Sequence, residues 1–128
     1  MSQNDSVSAV IEDGLAILDA LDAFIYSKDR AGHYLYANKA VQDLFGASLD
    51  QIRGHDDTQF FDLERSSELR DNDHAVMDRN ETIERKEHNL IKETGEARMY
   101  LTIKSPLRNT AGEVTGMCGI SLDITDHD

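Results

Sequence analysis

The residues that most often perform chemistry in proteins are scattered along this chain without the spacing that catalysis or metal binding needs. The five histidines lie in predicted turns, a helix, a strand and the C-terminal tail, and they form no metal-ligand spacing. They are His33, His55, His74, His88 and His127. His33 follows Asp29 near a turn, but no nucleophile completes a triad, and the chain has neither a phosphate-binding glycine loop nor a nucleophile elbow. We therefore expect no bound metal and no enzymatic activity from this segment.

The composition is that of a single folded domain with a strongly acidic surface. A chain of 128 residues is long enough for one hydrophobic core. Its formal net charge of −12 repels phosphate groups and anionic lipids, so contact with nucleic acid or directly with a membrane is not expected. Because Asp outnumbers Glu, adaptation to a salt-rich habitat is one explanation of the charge, and an ordinary solvated surface is the other.

The single cysteine, Cys118, cannot form a disulfide within the chain, which is typical of a reducing compartment. No apolar run approaches the ~18–20 residues of a membrane span, and the N-terminus lacks the pattern of a signal peptide. We predict a cytoplasmic domain. Cys118 lies in a predicted strand, where we expect a small buried thiol rather than a redox sensor.

The first element is an amphipathic helix over residues 7–21, where apolar residues recur at three- and four-residue steps. Its apolar stripe contains Val7, Ile11, Leu15 and Leu18. The helix either folds back on its own domain or pairs with a second copy of the chain. The second alternative leads to a competing hypothesis for function, a ligand-free dimerisation module that forms a homodimer.

Strands are predicted at both ends of the remaining chain, with short helices between them. Residues 23–38 form a hairpin, and residues 39–45 form a short helix that Asn38 caps and Gly46 ends. One further short turn of helix precedes Gly54, and a helix with a sparse apolar stripe covers about residues 64–79. Three strands follow at residues 81–93, 96–107 and 113–125, with turns between them. This order predicts an α+β fold, with one antiparallel sheet and helices on one face.

The order of these elements and several local phrases resemble the PAS family of sensory domains. The phrases are YLYANKA (34–40), LDQIRGHDDTQFF (49–61), LRDNDHAVMDRNE (69–81), KETGEARMYLTIKSPLRNTAGEVTGMCGIS (92–121) and the closing Asp123-Ile124-Thr125. The resemblance implies a five-stranded antiparallel sheet in the order 2-1-5-4-3, preceded by the N-terminal helix. It divides the chain into a tail and amphipathic helix (1–22), a sensor domain (23–126) and the start of a linker to an absent output domain (127–128).

The resemblance also implies a function in signal transduction. In such proteins the last strand joins an output domain, commonly a histidine kinase of a two-component system or a cyclic-dinucleotide enzyme. We expect a change of ligand or packing to reach that domain through Asp123, Ile124 and Thr125. A small enzyme remains the remote alternative, because a fold does not determine a function.

Two cofactors known from this family can be compared with the residues present. Flavin photoreceptors of the family need a reactive cysteine on a short helix, which this chain lacks. Haem-binding members use a histidine on the long middle helix, but His74 lies in a charged run, so we interpret it as a surface residue. For another ligand, the expected pocket lies between helices and sheet. The candidate lining residues are Phe60, Leu63, Leu69, Val76, Met99, Leu101, Ile103 and Ile120.

Overall fold

Residues 3–61, 67–92 and 94–125 are described by the structure, a computed structural model of the chain. The elements in chain order are α1 (Gln3–Ala20), β1 (Phe24–Asp29), β2 (Tyr34–Ala37), α2 (Lys39–Phe45), α3 (Leu49–Ile52), a 3₁₀ turn (Asp57–Gln59), α4 (Ser67–Arg79), β3 (Ile83–Leu90), β4 (Ala97–Arg108) and β5 (Val114–Asp123). The strands form one antiparallel sheet in the order β2-β1-β5-β4-β3. The predicted fold class and strand order are therefore confirmed.

Asn38 joins three elements at the first helical turn after the β1–β2 hairpin. Its side-chain oxygen accepts hydrogen bonds from the backbone N–H of Val41 (3.3 Å), as a helix cap, and of Ile25 in β1 (3.1 Å). Its side-chain amide donates to the carbonyls of Leu18 (2.9 Å) and Ala23 (2.8 Å). The predicted cap is thus present, and it also fixes the end of α1 against β1. Gly46 ends α2 with φ of 65°, as a left-handed cap should.

The long strands β3, β4 and β5 form the second half of the sheet. β5 pairs with β1 on one side and with β4 on the other, which places the last strand inside the sheet. The β4–β5 turn is closed by hydrogen bonds between Asn109 and both Gly112 (3.0 Å) and Glu113 (3.0 Å). Consequently the chain segment that leads to the C-terminus is anchored on both sides along most of its length.

Helices α2, α3 and α4 pack on one face of the sheet, which we call the inner face. Its core contains an aromatic group in which Phe45 stacks on Phe60 at 4.2 Å between ring centroids. A second cluster joins α4 to the sheet through Val76, Met77, Ile83 and Met117. The opposite, outer face is not covered by any helix that the structure describes from α2 onwards, and Leu35 and Leu122 remain 42% and 46% exposed there.

Helix α1 is attached mainly at its C-terminal end. Asp19 accepts a hydrogen bond from the backbone N–H of Lys39 (2.9 Å), next to the Asn38 contact with Leu18. Further toward the N-terminus, Val10, Ile11 and Ile17 are more than half exposed. The helix therefore extends away from the core of its own domain. Within the described segments, no helix combines the length and apolarity needed to cross a membrane.

Candidate functional site

The side of β4 that faces the helices is polar and charged, opposite to what its sequence predicted. In β4, Tyr100, Thr102 and Lys104 are buried beneath the helices, while the alternating Ile103 is 43% exposed on the outer face. Ile103 pairs with Ile120 across β4 and β5, and Ile120 is 37% exposed on the same side. Because side chains alternate along a strand, all the apolar positions of this part of β4 face outward.

The predicted pocket residues therefore separate into several groups. Leu69 of α4 does line the cavity under the helices. Phe60 and Val76 are buried, but they lie in the aromatic group and in the α4 cluster rather than at that cavity. The placement of Met99, Leu101, Ile103 and Ile120 in the pocket was wrong, because all four lie on the outer face. Leu63 lies outside the described residues.

A network of two lysines and three carboxylates occupies the space between α4 and the sheet. Asp73 of α4 is its centre, with one carboxylate oxygen 2.7 Å from Lys28 Nζ and the other 2.6 Å from Lys104 Nζ. Lys28 also contacts Asp57 at 2.7 Å, and Lys104 also contacts Glu87 at 2.7 Å. All five side chains are at most 7% exposed. The network thus connects β1, β3 and β4 to α4 and to the 3₁₀ turn.

Mutual attraction favours the charged forms of Lys28, Lys104 and Asp73. Burial alone would lower the pKa of Lys28, but the carboxylates of Asp73 and Asp57 outweigh it and raise that pKa. Burial would also lower the pKa of Lys104, but Asp73 and Glu87 outweigh it and raise that pKa. Burial would raise the pKa of Asp73, yet the two lysines lower it. Asp73 and the two lysines thus stabilise each other's charged forms inside the core.

Tyrosine and asparagine side chains extend the network. The hydroxyl of Tyr34 donates to Asp57 (2.5 Å), and the side-chain amide of Asn72 donates to Glu87 (2.8 Å). Burial, followed by the charge of Asp57, raises the pKa of Tyr34 well above its usual value. Tyr34 therefore remains a neutral donor, and Lys28 lies 5.0 Å from the centre of its ring.

A cavity adjoins this network between the sheet and helices α2 and α4. The cavity volume is about 30 Å³, and the space between the lining atoms, counted out to the open mouth, is about 400 Å³. One part of the wall is apolar and the other is polar. The apolar part contains Phe24, Val41, Leu44, Phe45, Phe61 and Leu69, and the polar part contains Tyr26, Lys28, Tyr34, Glu87, Asn89, Tyr100, Lys104 and Ser121.

The end of β5 is fastened to β4 by the residues that the sequence singled out for signal relay. Asp123 forms an ion pair with Arg98 and accepts hydrogen bonds from the N–H (2.9 Å) and hydroxyl (2.5 Å) of Thr125. Ile124 donates its N–H to Met99 O (2.9 Å), and Met99 N–H donates to the Thr125 hydroxyl (3.1 Å). Burial would raise the pKa of Asp123, but the Thr125 bonds and Arg98 lower it. The structure thus brings Asp123, Ile124 and Thr125 together as one hydrogen-bonded junction.

The sequence of this chain matches a known protein family. A family model described as "PAS fold" matches residues 18–128, which is most of the chain. The chain belongs to the PAS family. This confirms the resemblance seen in the sequence.

Two relatives are longer proteins that contain a region similar to this PAS domain. It is 33% identical over 111 residues to a diguanylate cyclase of Vibrio cholerae serotype O1, and 31% identical over 110 residues to the methanogenesis regulatory histidine kinase FilI of Methanothrix harundinacea. Each match covers 86% of this chain, but only 35% of the cyclase and 12% of the kinase. The chain is therefore homologous to one part of each multidomain protein.

A solved structure shows the same fold at low sequence identity. The PAS domain of a protein from Colwellia psychrerythraea superimposes with a TM-score of 0.76 at 18% identity. The match covers 92% of this chain and 99% of that domain. The backbone architecture is thus that of the PAS fold.

Sequence reasoning missed the charged network of this PAS domain, although one signal was present. Asp73 lies four residues after Leu69 and four before Met77, so it falls on the apolar stripe of α4. A carboxylate in such a stripe must find a buried cation or be hydrated. The signal does not identify Lys28 and Lys104 as the partners, because they come from strands far away in the chain.

The remaining reactive residues do not join the cavity. His74 is exposed on α4, one residue from Asp73 but on the solvent side. Cys118 is half-buried rather than fully buried on the outer face, and this burial raises the pKa of its thiol. Across residues 3–61, 67–92 and 94–125, no group of His, Cys, Asp and Glu could hold a metal ion.

Proposed function

We propose that this PAS domain is a cytoplasmic signal-sensing and relay domain of a multidomain signal-transduction protein. A ligand or a change of packing in the cavity alters the end of β5 and, through it, an attached output domain. The observation that carries this proposal is the contiguity of the cavity wall with the junction. Ser121 lines the cavity, and Asp123 follows it on the same face of β5.

A path of direct contacts connects the two. The Ser121 hydroxyl hydrogen-bonds with the hydroxyls of Tyr26 (2.9 Å) and Thr102 (2.9 Å), so three strands meet at one wall residue. Tyr100, also in the wall, is the cross-strand partner of Asp123. A displacement of Ser121 or Tyr100 therefore acts on the position of Asp123, and with it on the Arg98 and Thr125 contacts.

The relatives support an output domain of the cyclase or kinase type. In both, a region homologous to this chain is a minor part of a protein named for its enzymatic activity. We propose that this domain likewise regulates an enzymatic domain and has no catalytic activity of its own.

A chimera tests the relay. The matching region of the Vibrio cholerae diguanylate cyclase is replaced by this chain, and cyclase activity is measured. Ser121→Ala alters the cavity wall even when no ligand is bound. We expect this substitution to change the cyclase activity several-fold. Asp123→Ala should abolish that effect, whereas the control Glu96→Ala, which removes the other carboxylate paired with Arg98 (2.7 Å), should preserve it. An equal Ser121→Ala effect in all three backgrounds would reject the relay through Asp123.

A second candidate function is dimerisation, which the exposed apolar surface of α1 favours. Ile11 and Leu15 are 57% and 43% exposed, and Leu18 is half-buried, while the side chain of Val7 lies outside the described residues. The outer face exposes Ile103, Ile120 and Leu122 as well. We propose that a second copy of the chain covers part of this surface.

Sedimentation equilibrium tests that interface. Replacing both Ile11 and Leu15 by Glu should convert a dimer to a folded monomer, because two charges would be buried. The control, Thr110→Glu with Ala111→Glu, adds the same charge to the exposed β4–β5 turn and should leave the dimer intact. A dimer unchanged by the α1 substitutions would eliminate this interface.

A further inference from the structure

Two polar atoms in the cavity wall have no hydrogen-bond partner among the described residues. They are the side-chain carbonyl oxygen of Asn89 in β3 and the hydroxyl of Tyr100 in β4. Asn89 is 5% exposed and Tyr100 is 3% exposed, so bulk water does not replace the missing partners. Buried polar atoms are normally paired, and two unpaired atoms in one cavity indicate a partner from outside the chain.

The strand register places these two atoms on the same face of neighbouring strands. Glu87 is opposite Tyr100 in the β3–β4 ladder, and Asn89 is two residues further along β3. Such diagonal neighbours lie about 7–8 Å apart at the backbone and are within reach of long side chains. A polar group of a few atoms can therefore contact both.

The charges around the cavity favour a neutral partner. Each charged wall residue has an ion pair inside the chain: Lys28 with Asp57 and Asp73, and Lys104 with Glu87. The Tyr26 and Ser121 hydroxyls are bonded to each other. What remains is an acceptor at Asn89 and a hydroxyl at Tyr100, whose pKa is raised by burial and then by Asp123, so that it stays protonated as a donor.

We propose that this end of the cavity binds a neutral ligand in which an N–H donor and a carbonyl acceptor are adjacent, as in amides and lactams. The ligand N–H donates to the Asn89 oxygen, and the ligand carbonyl accepts from the Tyr100 hydroxyl. Phe24 and Leu44, which line the same cavity, receive its apolar part. This inference rests on the proposed sensor function and specifies the chemistry that the sensor recognises.

Acetamide is the probe, because the cavity has room for only a few atoms between its walls. It is titrated into the ¹⁵N-labelled chain, with acetone as a probe that lacks the donor and acetate as a charged probe. We expect saturable amide shifts centred on residues 89 and 100 with acetamide. Acetone should bind about three- to tenfold more weakly, the range for one lost hydrogen bond, and acetate should not bind. Equal affinity for acetone, preference for acetate, or absence of saturable shifts would overturn the proposal.

Variants assign the binding to the two atoms. Tyr100→Phe and Asn89→Leu should each weaken acetamide binding about three- to tenfold. The control Tyr26→Phe removes a wall hydroxyl that is already bonded and should change binding less than about twofold. Spectra of the free variants check that each is folded. Weakening by Tyr26→Phe alone would place the ligand elsewhere and reject the assignment.

The two proposals fail separately. If acetamide does not bind while the Ser121 and Asp123 substitutions still act together in the chimera, the ligand chemistry is wrong and the relay stands. If acetamide binds as expected but Asp123→Ala has no effect in the chimera, the site is correct and the relay route is wrong.

Discussion

Tyr100 and Asp123 are directly opposed in the β4–β5 ladder, so a residue of the cavity wall lies beside the residue that fastens the end of the last strand. The ring of Tyr100 also contacts Phe24 edge to face, with 5.7 Å between centroids. The cavity and the C-terminal junction of this PAS domain are therefore parts of one packed unit.

The unpaired hydroxyl of Tyr100 leads to a prediction for the ligand-free domain. Tyr100→Phe should leave the free energy of unfolding unchanged or raise it by up to about 1 kcal/mol, because it removes a buried group without a partner. Tyr26→Phe should lower it by about 0.5–1.5 kcal/mol, because it removes the hydrogen bond to Ser121. Urea unfolding measures both, and an equal loss in the two variants would contradict the assignment of Tyr100 as unpaired.

Asp73 should be the most sensitive member of the charged network. Asp73→Asn leaves Lys28 paired only with Asp57 and Lys104 paired only with Glu87. We expect a loss of about 1.5–3 kcal/mol in unfolding free energy, because a neutral amide replaces one charge-assisted hydrogen bond to a lysine. Asp71→Asn, an exposed position on the same helix, should change it by less than about 0.5 kcal/mol. Thermal and urea unfolding of the two variants test this difference, and similar stabilities would mean that water compensates the lysines.

The same network predicts the pH dependence of stability. The lysines lower the pKa of Asp73, so the unfolded state binds more protons in acid, and this contribution, complete above about pH 3.9, is lost as the pH falls. The raised pKa values of Lys28 and Lys104 act oppositely: their contribution is complete below about pH 10.4 and is lost as the pH rises further. Carbon-13 titration of the carboxyl groups should give Asp73 a pKa below its usual value. A pKa above it would show that burial dominates.

Because the apolar residues of β4 face outward, substitutions of Leu69 and Ile103 should differ in their cost to stability. Leu69 is 4% exposed at the cavity, and Leu69→Ala should cost about 2–5 kcal/mol of unfolding free energy. Ile103→Thr keeps a β-branched side chain on the exposed outer face and should cost less than about 1 kcal/mol. Both values come from urea unfolding at a protein concentration where the chain is monomeric. A larger loss of unfolding free energy for Ile103→Thr would mean that Ile103 is buried in the core.

Much of the fold was predictable because its signals are local. The hairpin of β1 and β2, the short helix between Asn38 and Gly46, and the turn at Asn109 depend on residues within a few positions of each other. The order of strands and helices then identified the PAS family. The sequence also underestimated one local feature, since α1 begins at Gln3 rather than at residue 7.

The site was decided by contacts between distant parts of the chain. Alternation in β4 separates Ile103 from Lys104, but a period of two residues does not say which face the helices will cover. That choice depends on Asp73 and Asp57, which are 45 and 29 residues from Lys28 and reach it only after α4 and the 3₁₀ turn have packed on the sheet. The sequence alone therefore determined the elements and the family of this protein. The tertiary structure determined which face of the sheet the helices cover, because the buried lysines are stable only where both strands and helices supply their counter-charges.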